Sequence, residues 1–303
     1  MALSPGGWGG EPVGLRAPWS AVAQAEEGPL LVAGTSGAAL AHPLGRATTV
    51  LAVHPERLAW LSRSGGGLVR LEDASGQLQP LPAQSEDSSW RLIRWSPAGS
   101  SLILCDATSC HVFRLDDGGL HSQWILPAAA DDVAVSDDGQ AVLWTEQGRL
   151  WMAGPGAAPR TLSDSPPITF AFLRHSHRYA VAAEDRLWIA GHLPLRLKDL
   201  PPEPADPELS ESLKIRQLVP AGRFGWLATG LDSSGACRLW LLNAHGGIED
   251  AADCPSPGVR LSPAGNEGLL QLTGAARRPL WFARVSTRAI HVFFVPGIPA
   301  EGE

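Results

Sequence analysis

Residues 131–162 read DDVAVSDDGQAVLWTEQGRLWMAGPGAAPRTL, and their pattern recurs along most of the chain. Val133 and Val135 alternate with small or polar neighbours and run into the turn Ser136-Asp137-Asp138-Gly139, which predicts a first strand. Ala141 to Thr145 reads as a second strand, Gln147-Gly148 as a tight turn, and Arg149 to Ala153 as a third strand. Thr161-Leu162 opens a short outer strand. The unit is a small antiparallel sheet built from successive hairpins.

The same unit is recognisable on both sides. Upstream, Val50 to Val53 enters His54-Pro55, with Leu58 to Leu61 and Leu68 to Leu71 following; then Leu92 to Trp95 enters Ser96-Pro97-Ala98-Gly99, followed by Leu102 to Cys105 and His111 to Leu115. Downstream, first strands end at Leu173, Val219 and Leu261, before turns at Arg174, Pro220 and Ser262. The residue after each first strand is His54, Ser96, Ser136, Arg174, Pro220 and Ser262, at spacings of 42, 40, 38, 46 and 42. A period near 40 marks stacked four-stranded units, none of which buries its two apolar faces alone. A weaker copy spans Trp19 to Arg46. Counting it gives seven units; six units with an N-terminal extension is the alternative.

Third strands carry a signature of their own: Arg149-Leu150-Trp151, Arg186-Leu187-Trp188, Arg238-Leu239-Trp240 and Pro279-Leu280-Trp281, with His111-Val112-Phe113 as a weaker match. Together with the SPAG and SDDG turns, these residues resemble the WD40 and PD40 class of β-propeller over roughly residues 49–298. The Trp-Asp dipeptide and Gly-His pair of a strict WD repeat are missing, so the resemblance concerns architecture and no one family. It implies an all-β propeller of four-stranded antiparallel blades. Trp151, Trp188, Trp240 and Trp281 are expected to fill the space where neighbouring blades diverge from the axis.

The domain plan is a Gly/Pro-rich leader at residues 1–18, one propeller at 19–298 and a tail at 299–303. One unit is interrupted by residues 198–214, KDLPPEPADPELSESLK, whose four Pro and five acidic residues predict an exposed inter-blade loop. Within it Pro202, Glu203, Asp206, Glu208 and Glu211 are the candidate contacts for a basic partner.

Composition narrows the class. The 303 residues are 44 % apolar with a formal net charge of −7 and no basic stripe, which disfavours a nucleic-acid partner. No run approaches the roughly 18 uninterrupted apolar residues that span a bilayer, and the N-terminus lacks the features of a secretory signal. Four cysteines fit a reducing compartment, and a cytoplasmic protein is expected. Cys105 and Cys110 flank a turn and could bridge in an oxidising setting, but read best as half-buried strand residues; Cys237 and Cys254 lack metal-ligand spacing.

Catalytic motifs are sparse. Gly34-Thr35-Ser36-Gly37 lacks the spacing of a nucleophile elbow, and Asp137-Asp138-Gly139 lacks the alternation of a calcium loop and reads as a turn. His54 and His175 occupy equivalent turns of two units, hence one face of a ring, and are the weak candidates for a metal or a general base; the equivalent turns elsewhere offer Ser96, Ser136, Pro220 and Ser262. No cofactor is implied. The expected function is a non-catalytic protein-interaction module or scaffold subunit, with an enzyme or ligand binder at the axial channel mouth as the alternative.

Overall fold

The computed structural model describes residues 19–25, 28–35, 38–43, 48–64, 69–73, 78–81, 90–117, 119–184, 186–191, 203–204, 214–221, 225–274, 280–286 and 288–295. The leader, the tail after residue 295 and most of the acidic segment lie outside them.

Hairpin chemistry builds the unit at 132–163. Val133 pairs with Trp144 and Val135 with Val142; Val142 pairs with Ala153 and Trp144 with Trp151. The first turn closes through Gly139 N–H to the Ser136 carbonyl at 2.9 Å, while the Ser136 hydroxyl oxygen accepts the Ala141 N–H at 2.9 Å. Gly139 has a φ of 70°, which favours glycine. The next turn places both Gln147 and Gly148 at positive φ, the two-residue geometry that matches strand twist. Residues 92–126 repeat the first turn with Ser96 and Gly99, and the Ser101 N–H donates to the Ser96 hydroxyl at 3.0 Å.

Among the described residues six four-stranded sheets result, each with its strands in chain order: blade A (48–80), B (92–126), C (132–163), D (169–204), E (214–253) and F (260–295). The copy at 19–43 gives a three-stranded sheet, Trp19–Ala25, Gly28–Thr35 and Ala38–Pro43. The six complete blades and this N-terminal sheet reconcile the two counts that the repeat allowed.

Strand alternation decides what each blade touches. In blade C, Val133, Val135, Val142 and Trp144 pack on blade B, whereas Leu143, Leu150 and Met152 pack on blade D. Every blade divides its residues this way, and among the described residues one apolar cluster occupies each seam. The N-terminal sheet lies in the last gap: Ala21, Ala23 and Val32 face blade F, and Val22 faces Val50, Val53 and Trp60 of blade A. The sheets thus form a closed ring, a β-propeller.

Each third-strand aromatic projects onto the preceding blade: Trp151 onto B, Trp188 onto C, Trp240 onto D, Trp281 onto E and Phe113 onto A. Trp188 and Trp240 are buried, while Trp151 and Trp281 are partly exposed. Among the described residues the most enclosed indoles lie instead on second strands, at Trp60, Trp144 and Trp226, all at most 2 % exposed. Trp226 donates its indole N–H to the Ala171 carbonyl at 3.1 Å, joining blade E to blade D.

Two expectations need correction. All four cysteines are paired: Cys105 with Cys110, directly opposed across a hairpin, and Cys237 with Cys254, which joins the third strand of blade E to the residue after its outer strand. Cys105 and Cys110, expected to be half-buried strand residues, are fully buried and bridged. The acidic segment, in turn, is not all loop. Glu203–Pro204 pairs with Ile189 and Trp188 as the outer strand of blade D.

Truncation of the buried indoles tests the seams. Trp188→Ala and Trp240→Ala are each expected to cost about 3–5 kcal/mol in urea unfolding, and the partly exposed Trp151→Ala less, about 1–3 kcal/mol. Losses below about 1 kcal/mol for both Trp188 and Trp240 would contradict the seam assignment.

Candidate functional site

The turns after the first strands meet at one end of the ring axis. Pro55 and Glu56 of blade A, Trp95, Ser96 and Pro97 of B, Pro220 of E, and Pro263 and 267–270 of F line a cavity of about 60 Å³. That volume holds a few waters, at about 10–15 Å³ each. A substrate pocket is commonly several hundred Å³.

Charged groups around this mouth join blades to one another. Arg174 of blade D, with a side chain only 6 % exposed, is held between Glu56 of A and Glu267 of F. Burial raises the Glu56 pKa; Arg174 opposes that shift, and the nearby Glu267 and Asp137 carboxylates reinforce it. Asp137, which the sequence presents as a turn former, is buried and does more. Its carboxylate accepts the Ala98 N–H of blade B at 2.6 Å and the His175 N–H of blade D at 2.6 Å. Asp138 faces His177 across the same seam, with the imidazole Nε2 at 2.7 and 2.8 Å from the two carboxylate oxygens.

The two candidate histidines have separate surroundings. His54 is 1 % exposed, and its Nδ1 accepts the N–H groups of Glu56 at 3.1 Å and Arg57 at 3.0 Å. The proton is therefore on Nε2, which donates to the Gly99 carbonyl at 3.1 Å. Its ring lies 4.9 Å from that of Trp95. Gly99 has a φ of 74°, and a Cβ there would come 2.2 Å from the imidazole, so the turn glycine of blade B makes room for the histidine of blade A. Burial, with a contribution from Arg57, lowers the His54 pKa to about 4. His54 acts as a neutral cap on its own turn and a clip to the next blade. His175 exposes 61 % of its side chain, carries a left-handed φ of 50° and touches Asp137 through its backbone. Among the described residues no group of three or more His, Cys, Asp and Glu side chains is placed to hold a metal ion.

Of the acidic-segment candidates, Pro202, Asp206, Glu208 and Glu211 lie outside the described residues, and Glu203 is described only as backbone in the outer strand of blade D. Sequence reasoning missed Arg174, Glu56, Glu267 and Asp137. Arg174 and Asp137 stood in turns already singled out by the repeat, and their side chains alone could have drawn notice.

The ring defines the class as a β-propeller whose axial turns are cross-linked by ion pairs. No protein-family model matches the chain, and no curated protein matches it. Among solved structures it is similar to Hsv2 of Kluyvelomyces marxianus, with a TM-score of 0.52 and 8 % identity, over 91 % of this chain and 98 % of that one. A likeness at that identity is one of fold. It is shared with many solved structures, 865 chains in all, and so defines an architecture.

His54 gives stability a pH dependence. Its pKa is about 6.5 unfolded and about 4 folded, so the unfolded chain binds the extra proton in that window and stability falls as pH drops through it. Wild type should lose roughly 2–3 kcal/mol from this group between about pH 7.5 and about pH 4.5 in urea unfolding. His54→Phe should start less stable and show a correspondingly shallower slope. Identical slopes would contradict the buried, neutral assignment.

Proposed function

We propose that the chain is a non-catalytic interaction module, a scaffold subunit that presents a rigid ring to protein partners. The observation behind this reading is how the axial polar groups are used. Arg174 is spent on Glu56 and Glu267, Asp137 on the backbone of two neighbouring blades, and both ring nitrogens of His54 on its turn and on Gly99. Groups held this way stiffen a platform. The fold shared with Hsv2 is compatible with a binding role.

Chemistry at the channel mouth has less behind it. A general base needs a free lone pair within reach of substrate, and that of His54 is occupied by two N–H groups in a buried turn. The acidic segment adds a contact of stated character, since Asp206, Glu208 and Glu211 would attract a basic surface.

Purification of the tagged, intact chain from its native cell should retain a stoichiometric protein. Replacing Asp206, Glu208 and Glu211 with their amides should release it while leaving Glu203–Pro204 to complete blade D. Retention of no partner by the unmodified chain would overturn the interaction reading.

A further inference from the structure

Building on that interaction reading, we propose that the end of the ring opposite the axial cavity docks an acidic peptide segment of the protein partner, one that carries an apolar side chain beside its carboxylates. The first strands of blades D, E and F begin at this end, and hydrogen bonds fix their register. The Leu218 N–H of blade E donates to the Thr169 hydroxyl of D at 3.1 Å. Gln217 of E accepts the Leu261 N–H of F at 2.8 Å and donates to its carbonyl at 2.9 Å. Ile168, Arg216 and Arg260 each stand one residue before these joints, so they form an arc across three consecutive blades, with Lys214 beside Arg216.

The backbone exposes this arc. Ile168 is 48 % exposed, one of three large apolar side chains so exposed among the described residues. Arg216 is the extra residue of a β-bulge, where pairing steps from Ile215 with Gly230 to Gln217 with Thr229. The bulge leaves Arg216 exposed while Ile215 and Leu218 on either side pack on blade D. Lys214 and Arg260 are exposed as well, and among the described residues none of these three cations has an ion pair. The blade E carboxylates at this end are already taken, because Arg238 holds Asp232 at 3.3 Å and Asp253 at 2.9 Å. Unpaired cations keep their attraction for an incoming carboxylate, screened only by salt. Glu184, exposed in the turn between the second and third strands of blade D, gives the docked segment a direction: carboxylates over blades E and F, apolar residue over Ile168. With a net charge of −7 the chain as a whole disfavours an acidic segment, which confines it to the arc.

The test uses acetyl-Glu-Glu-Leu-Glu-Glu amide as the probe and acetyl-Gln-Gln-Leu-Gln-Gln amide as the neutral control. Each is titrated into the intact chain and followed by backbone amide NMR. The acidic peptide should give saturable shifts at Ile168, Arg216 and Arg260, and the neutral one none. Arg216→Gln combined with Arg260→Gln should weaken binding by about fivefold or more, whereas Arg149→Gln, whose exposed side chain pairs with Asp164 on blade C, should leave it unchanged. Should the double variant fail to fold, wild type still decides, because binding must weaken several-fold between about 50 and about 500 mM NaCl. No shift at those amides, an equal response to the neutral peptide, or unchanged affinity in the folded double variant overturns the inference. So does binding of phosphatidylserine vesicles that the acidic peptide fails to displace, since the arc would then serve a lipid surface. If the peptide fails while the intact chain still retains a partner on purification, only this inference falls. If no partner is retained, the interaction reading falls and takes this one with it.

Discussion

Each blade has two apolar faces and can bury neither without a neighbour, so the fold depends on seams between blades. The hydrophobic contribution is spread around the ring: Leu239 and Leu241 of blade E meet Leu261, Leu270 and Leu272 of blade F, as Leu102 and Leu104 of B meet Leu61 and Leu71 of A. A linear stack would leave two such faces in water. The N-terminal sheet removes that penalty by offering small Ala21 and Ala23 to blade F and Val22 to blade A. Closure is also directional. The Gln271 side chain clasps Gln24, accepting its N–H at 2.8 Å and donating to its carbonyl at 2.9 Å, while the Gln24 side chain donates to the Val50 carbonyl at 2.9 Å. Gln217 clasps Leu261 in the same way between blades E and F. Amide side chains thus imitate a strand pair across these seams, beside a backbone bond from the Val22 N–H to the Ala264 carbonyl at 2.8 Å.

The axial mouth follows from this packing. Bringing the turns of blades A, B, E and F to one place forces their polar groups out of water, and buried charge is tolerated only when paired. Arg174 pairs with carboxylates from two other blades, and Asp137 ties B and D to C. The residues that look most like a catalytic set by type are thereby joints of the ring. What remains at the mouth is a cavity of about 60 Å³ with largely apolar walls.

The period near 40 and the third-strand aromatics were legible because they are local. Ser136 and Gly139 shape a turn through neighbours within five residues, and the alternation around Trp151, Trp188 and Trp240 records which face turns to the preceding blade. The burial of Trp226, enclosed against blade D, could not be read, since its partner, the Ala171 carbonyl, lies 55 residues away and meets it only once the blades pack. Nor could the partners of Arg174, one of them 93 residues away in Glu267, because such pairs exist only once the ring has closed. His54 stood out as a titratable side chain, yet its role is set by Gly99 of the next blade, 45 residues on. The cysteine pairs were half visible: Cys105 and Cys110 flank a turn, whereas Cys237 and Cys254 meet only after the outer strand of blade E folds back.

Closure of the ring through the N-terminal sheet is the central claim, and hydrogen exchange on wild type and Ala23→Asp tests it directly. Ala23 is fully buried against blade F, so the substitution places a carboxylate in that seam. A closed ring predicts faster exchange in both flanking blades, at Leu269–Thr273 of blade F and at Ala59–Ser64 of blade A. Unchanged protection in those two strands would contradict closure and leave the six blades as a stack that the N-terminal residues do not complete.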